Sequence, residues 1–188
     1  MSTYIRWAMT TLVLALATIA VAPPRPLEAA GAAVIDQEVD AALVALYANT
    51  PRAQELGERA KGVLVFPNIV KAGFLVGAQY GDGALRVQGR TVGYYNTVAA
   101  SYGFQAGVQA FSDALFFMTD GALRYLQESE GWELGTGPSI VVLDEGMAQS
   151  LSTTTLRDDV YAFIFHQEGL MAGVGLQGSK ITKIHPAQ

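Results

Sequence analysis

Among the side chains able to do chemistry, the basic ones offer the most. Lys61, Lys71, Arg86, Arg90, Lys180 and Lys183 lie near the ends of segments that alternate like strands. Ammonium and guanidinium groups donate charge-assisted hydrogen bonds to phosphate oxygens. Three or four of them gathered on one rim attract an anionic lipid surface by roughly 1 kcal/mol each. Lys61 and Lys71 flank the first such segment and are expected to project from one rim. Scattered and solvated, the same residues bind nothing, and the sequence leaves both arrangements open.

Other chemical patterns fall short of a site. Gly173-Val174-Gly175-Leu176-Gln177-Gly178 has the G-x-G-x-x-G form, which holds a dinucleotide only where a strand opens into a helix. Lys180 to Ile184 follows and reads as another strand. His166 and Glu168 offer two metal ligands, whereas zinc takes at least three from the protein. His166 is expected to end a strand, with Glu168 in solvent. No serine sits in a G-x-S-x-G elbow. Asp158-Asp159 and Asp144-Glu145 are adjacent acids, which on a strand point to opposite faces. We expect no catalytic residue, no cofactor and no metal.

The elements that must position the basic residues are glycine-rich. Phe74, Val76, Ala78 and Tyr80 fall on one face of a strand, with Gly73 and Gly77 on the other. Residues 103–111 and 169–178 repeat the theme. Glycine inside a strand marks a bulge, a sharp bend or a close backbone approach. Three such segments predict a small, tightly curved antiparallel sheet.

Before the sheet, Val39, Leu43, Leu46 and Tyr47 have helical spacing, predicting a helix over 36–48. Thr50-Pro51 opens a second helix to about Arg59, burying Ala53 and Leu56. Strands are predicted at 63–66, ended by Pro67-Asn68, and at 72–80 and 84–89 around a Gly81-Asp82-Gly83 turn. Further strands are expected at 91–99, 104–118, 140–143, 160–165, 170–176 and 181–184. A helix after Thr119 turns Leu123 and Leu126 inward, with Trp132 at its end, and 144–158 is a polar loop. Phe116-Phe117-Met118 is a membrane-contact candidate unless a helix covers the second face.

Arg6 precedes an uncharged stretch from Trp7 to Ala22, the pattern of an export signal. We read residues 1–30 as signal peptide and linker and 31–188 as one domain, periplasmic or envelope-associated. An uncleaved anchor is the alternative. The chain has 12 basic and 17 acidic residues and no cysteine. Arg6, Arg25 and Glu28 fall in the leader, leaving 10 and 16, a net charge of −6. That balance argues against general nucleic-acid binding, and disulfides and thiolate metal sites are excluded.

Several segments together resemble the SYLF domain, a family of lipid-binding modules. They are Ala60-Lys61-Gly62-Val63-Leu64-Val65-Phe66-Pro67, Lys71-Ala72-Gly73-Phe74, and Gly103-Phe104-Gln105-Ala106-Gly107 with Asp113 six residues on. Gly137-Pro138 and Glu168-Gly169-Leu170-Met171-Ala172-Gly173-Val174 continue the order. The resemblance implies a compact β-rich domain with flanking helices that binds phosphoinositides in eukaryotic members, where it is linked to actin-based membrane remodelling. Tyr94-Tyr95-Asn96-Thr97 and Gln167-Glu168 depart from the family pattern, the latter replacing a basic residue. Combined with the sequence reading, it gives an α+β, mainly β fold: a curved or barrel-like antiparallel sheet with N-terminal helices and one or two more. The expected partner is an anionic lipid or membrane surface, with Lys71 the foremost contact. An envelope protein bound through a sheet edge is the rival, and actin is not expected for an exported chain.

Overall fold

The computed structural model describes residues 31–143, 157–169 and 179–187. The leader, most of the 144–158 loop, the expected strand at 170–176 and the 173–178 glycine motif lie outside the described residues. Among those described, three helices and six strands build an α+β fold dominated by a curled half-barrel sheet.

Helix α1 (Ala32–Asn49) starts four residues before the expected position, so Ile35 joins Val39, Ala42 and Leu46 on its buried stripe. Gly31 supplies its extended cap, and the Ala32 N–H donates to the Ala187 carbonyl at 2.9 Å. Helix α2 (Pro51–Arg59) has proline at its first turn and buries Ala53 and Leu56 as expected. Thr50 caps it with its carbonyl, which accepts from the Ala53 N–H at 2.9 Å, while its side chain makes no capping bond. Helix α3 (Asp120–Glu128) opens on Thr119, whose Oγ1 accepts from the Ala122 N–H at 3.2 Å. Its inward residues are Ala122 and Leu126, with Leu123 partly buried.

Two long antiparallel strands, β1 (Gly62–Val87) and β2 (Arg90–Phe117), carry the sheet. Both correct the expected strand list. Pro67-Asn68 does not end a strand but forms a bulge between the Phe66 and Ile69 pairings. Proline lacks an N–H for the ladder, so a bulge is where it belongs. The hairpin turn is Gln88-Gly89, with φ of 51° and 75°, and not Gly81-Asp82-Gly83, which pairs with Thr97, Asn96 and Tyr95. Two positive-φ residues give a two-residue turn whose twist matches the flanking strands. The expected strands at 91–99 and 104–118 are one.

Gly81 and Gly83 serve another purpose. About a dozen residues of extended strand separate Gly81 from Ile69, a span of roughly 40 Å. Yet a Cβ on Gly81 would lie 2.8 Å from Ile69 Cγ1 and 2.9 Å from the Asn68 carbonyl, and one on Gly83 would strike the Val65 carbonyl. Strand β1 therefore folds back on itself, bending where the register breaks between Phe74 and Val76. Bare backbone lets the two arms meet. Bent in this way, β1 and β2 each pass through the sheet twice.

Strand β5 (Val160–Gly169) flanks the C-terminal arm of β2, and β6 (Lys180–Ile184) its N-terminal arm. The ends are β3 (Trp132–Glu133) on β6 and β4 (Ile140–Leu143), which runs parallel to β5 in an otherwise antiparallel sheet. Inside the curl, Leu64, Phe66, Leu85, Leu115 and Phe117 meet α3 and Trp132. Trp132 is buried against Phe117 and Tyr125, and its indole N–H donates to the Thr136 carbonyl. Outside, α1 and α2 cover Val63, Val65, Phe116 and Phe163. Adjacent Phe116 and Phe117 are thus both buried, one in each layer, which removes that segment as a membrane contact. Phe116 meets Phe163 edge-on at 5.4 Å.

Candidate functional site

The helices stop short of the top of the half-barrel. Two bulges fall at the same level on β2: Pro67-Asn68 of β1 faces Ser112, and His166-Gln167 of β5 faces Phe111. The Ser112 hydroxyl donates to the Pro67 carbonyl at 2.7 Å and fixes the first. Above this level the outward positions of β1 are Val70, Ala72, Ala78 and Tyr80, and those of β2 are Val98, Ala100 and Val108. All are exposed, Val108 at 61% and Val98 at 44%. No Asp, Glu, Lys or Arg occurs between residues 72 and 81 or between 91 and 112. An uncharged outer wall of this kind is unusual for a surface bathed only in water.

Four of the inward positions at the same height are polar, among glycine and alanine. Lys71, Gln79, Thr97 and Gln109 are all buried, and Lys71 stands opposite Gln109 in the β1–β2 register. Gln79 Nε2, Thr97 Oγ1 and Gln109 Oε1 have no hydrogen-bond partner among the described residues. Just below, Asp113 pairs in register with Phe66 and Ile164, on the inner face shared by Phe111 and Leu115. Neither of its oxygens has a partner of normal geometry. Burial pushes its carboxyl up to about 8, only weakly opposed by the Ala114 N–H.

The six expected phosphate ligands do not form one rim. Lys71 is 8% exposed and lies in the inner wall, because the Pro67-Asn68 bulge inserts a residue and reverses the alternation after Phe66. Lys61 and Arg90 are exposed at the turn end of the ribbon, remote in register from Lys71. Arg86 is held by α1: its Nη2 donates to Asp40 Oδ1 at 2.7 Å and to the Asp36 carbonyl at 3.1 Å. Asp36 also accepts from Thr91 Oγ1 and the Tyr94 hydroxyl, so this network fastens α1 to the sheet. Lys180 and Lys183 are both exposed on β6 but stand three residues apart and so on opposite faces, Lys180 opposite outward Val98 and Lys183 opposite inward Tyr95. Of the six, Lys180 shares the outer face with the uncharged wall. Glu168 is exposed on its other flank, opposite Ala110.

Beside the bulges, two open grooves of about 320 and 460 Å³ share Pro67, Asn68 and His166 in their walls. His166 does not end its strand. It is exposed at the β5 bulge with φ of 51°, its ring against Phe165 at 5.0 Å. Among the described residues no three His, Asp or Glu side chains are placed to hold a metal. Of the acidic pair at 158–159, Asp159 has a structural task. It accepts from the Ser139 N–H and from the Ser139 and Thr119 hydroxyls, which joins the starts of β4, β5 and α3. The Ser139 backbone bond, ahead of the two hydroxyls, holds its carboxyl below the usual range.

The uncharged wall escaped the sequence reading, although its signal was present as long runs without charge. What masked it was the bulge, which had to be counted before inward and outward positions could be told apart. No helix among the described residues is long and apolar enough to cross a membrane. Residues 98–187, just under half of the chain, match the family model described as Las17-binding protein actin regulator (Ysc84). Comparison with curated proteins gives no match.

Proposed function

Residues 98–187 match the SYLF (Ysc84) domain family, and from that match we propose that the chain binds lipid at a membrane surface without catalysis. The observation that carries the reading is the uncharged, exposed apolar wall formed by Val70, Ala72, Ala78, Tyr80, Val98, Ala100 and Val108. A soluble surface this poor in charge favours an apolar neighbour over water. Lys180, exposed beside Val98 on the same face, adds attraction for an anionic headgroup. Lys71, facing inward, is assigned to the inner wall and not to first contact with a membrane. The leader pattern of residues 1–30 supports export, which would bring the wall to an envelope membrane.

Co-sedimentation with neutral and anionic vesicles tests the proposal. Binding is expected to be stronger to anionic vesicles, and Lys180→Ala to weaken it by about 1 kcal/mol, near fivefold. Equal pelleting with both vesicle types removes the electrostatic part. A folded protein that pellets with neither removes the lipid reading. In that case the unpaired edge of β4 in the described sheet is the surface on which to seek an envelope protein.

A further inference from the structure

We propose that the upper half-barrel, residues 70–81 of β1 and 97–110 of β2, enters the hydrocarbon of one bilayer leaflet with its outer wall against the acyl chains. The inference rests on the membrane-binding reading and specifies how that surface engages the bilayer. Three observations carry it. The first is inversion: below the bulges, Leu64, Phe66, Leu85 and Leu115 face in, as in a soluble protein. Above them, Lys71, Gln79, Thr97 and Gln109 face in while Val70, Tyr80, Val98 and Val108 face out. Apolar-out, polar-in alternation is the pattern of strands in lipid.

The second is the missing charge. A charged side chain on the outer wall would oppose entry into hydrocarbon, and residues 72–81 and 91–112 contain none. Charge resumes at the base, with Lys180 on one flank and Glu168 on the other. Tyr80 belongs to the same border, its hydroxyl donating to Asp82 at 2.7 Å. Tyrosine favours that headgroup level, where its ring is dry and its hydroxyl wet.

Length is the third. From Val70 to the bend near Leu75 each arm rises about five residues, or roughly 17 Å. One leaflet contributes about 15 Å of hydrocarbon, and a spanning strand needs about 9–11 residues. The arms therefore reach the bilayer midplane and stop. The β1–β2 ladder runs through both arms to the bend, so the backbone groups on their facing edges are paired within the ribbon.

The chain has no cysteine, so single labels can be placed cleanly. Val98→Cys, Val108→Cys and, as control, Val44→Cys on α1 are labelled with an environment-sensitive fluorophore in the full protein. On phosphatidylcholine–phosphatidylglycerol vesicles the labels at 98 and 108 are expected to shift to the blue and to be quenched by nitroxides on the acyl chains. The label at 44 is expected to do neither. Protein that pellets with the vesicles while labels 98 and 108 keep a water-like emission overturns insertion and leaves membrane binding standing. Folded protein that does not pellet removes both. Val108→Asp is the second measurement, expected to keep the unfolding transition and lose about tenfold in vesicle affinity. Unchanged affinity overturns the inference.

Discussion

Replacing Asp113 by Asn should make the protein more stable at alkaline pH, against the usual rule that core substitutions do harm. Asp113 is fully buried among Phe66, Phe111, Leu115 and Ile164 positions, and among the described residues its carboxyl has only weak support, from the Ala114 N–H. Burial raises its pKa from 3.8 to about 8. Between those values the native state keeps a proton that the unfolded chain has lost. Stability attributable to this group is therefore complete below pH 4 and falls as pH rises, by about 1.4 kcal/mol per unit, until roughly pH 8. Summed over the interval, the ceiling is on the order of 5 kcal/mol, reduced in practice by relaxation and water entry. Asparagine is close in shape to the protonated acid and does not titrate. Urea denaturation of both proteins across this range should give similar stabilities near pH 4 and curves that diverge upward, with Asp113→Asn several kcal/mol ahead near pH 9. Parallel curves, or a variant that is weaker at high pH, would refute a buried, protonated Asp113.

Three further outcomes can be checked by the same denaturation assay. Gly83→Ala drives a methyl into the Val65 carbonyl, so a loss of about 3 kcal/mol is expected. Gly121→Ala, in contrast, meets nothing closer than Thr119 Oγ1 at 4.0 Å and should gain roughly 0.5–1 kcal/mol from helix propensity. Asp159→Ala frees the Ser139 N–H and two hydroxyls and should cost about 1–2 kcal/mol at neutral pH. Because the Asp159 pKa is depressed, that difference should be present above the ordinary carboxylate pKa and vanish as pH falls through the folded value.

The helices were legible because their signals are local. Thr50-Pro51 followed by Ala53 and Leu56, and Thr119 ahead of Leu126, carry their caps and spacing within one or two turns. The curvature was legible too, since glycine inside strands has few other uses. Its detail was not. Gly81-Asp82-Gly83 has the composition of a turn, and only the return of Asn68 and Ile69 against Gly81 shows that the missing side chains serve a close approach. Similarly, Pro67 looks like a stop until Ser112 and the pairings on either side reveal a bulge. That extra residue moved Lys71 from the expected rim to the interior. The SYLF resemblance held, while the wall above the bulges emerged only when the alternation was recounted.

Strand β2 hydrogen-bonds to β1, β5 and β6, so the alignment chosen at Gln88-Gly89 propagates to most of the sheet. A slip of one residue there would exchange the two faces of both arms at once. Val70, Val98 and Val108 would point into the barrel, and Gln79 and Gln109 would turn outward. Two residues at one tight reversal thus decide which side chains form the outer wall and which line the interior.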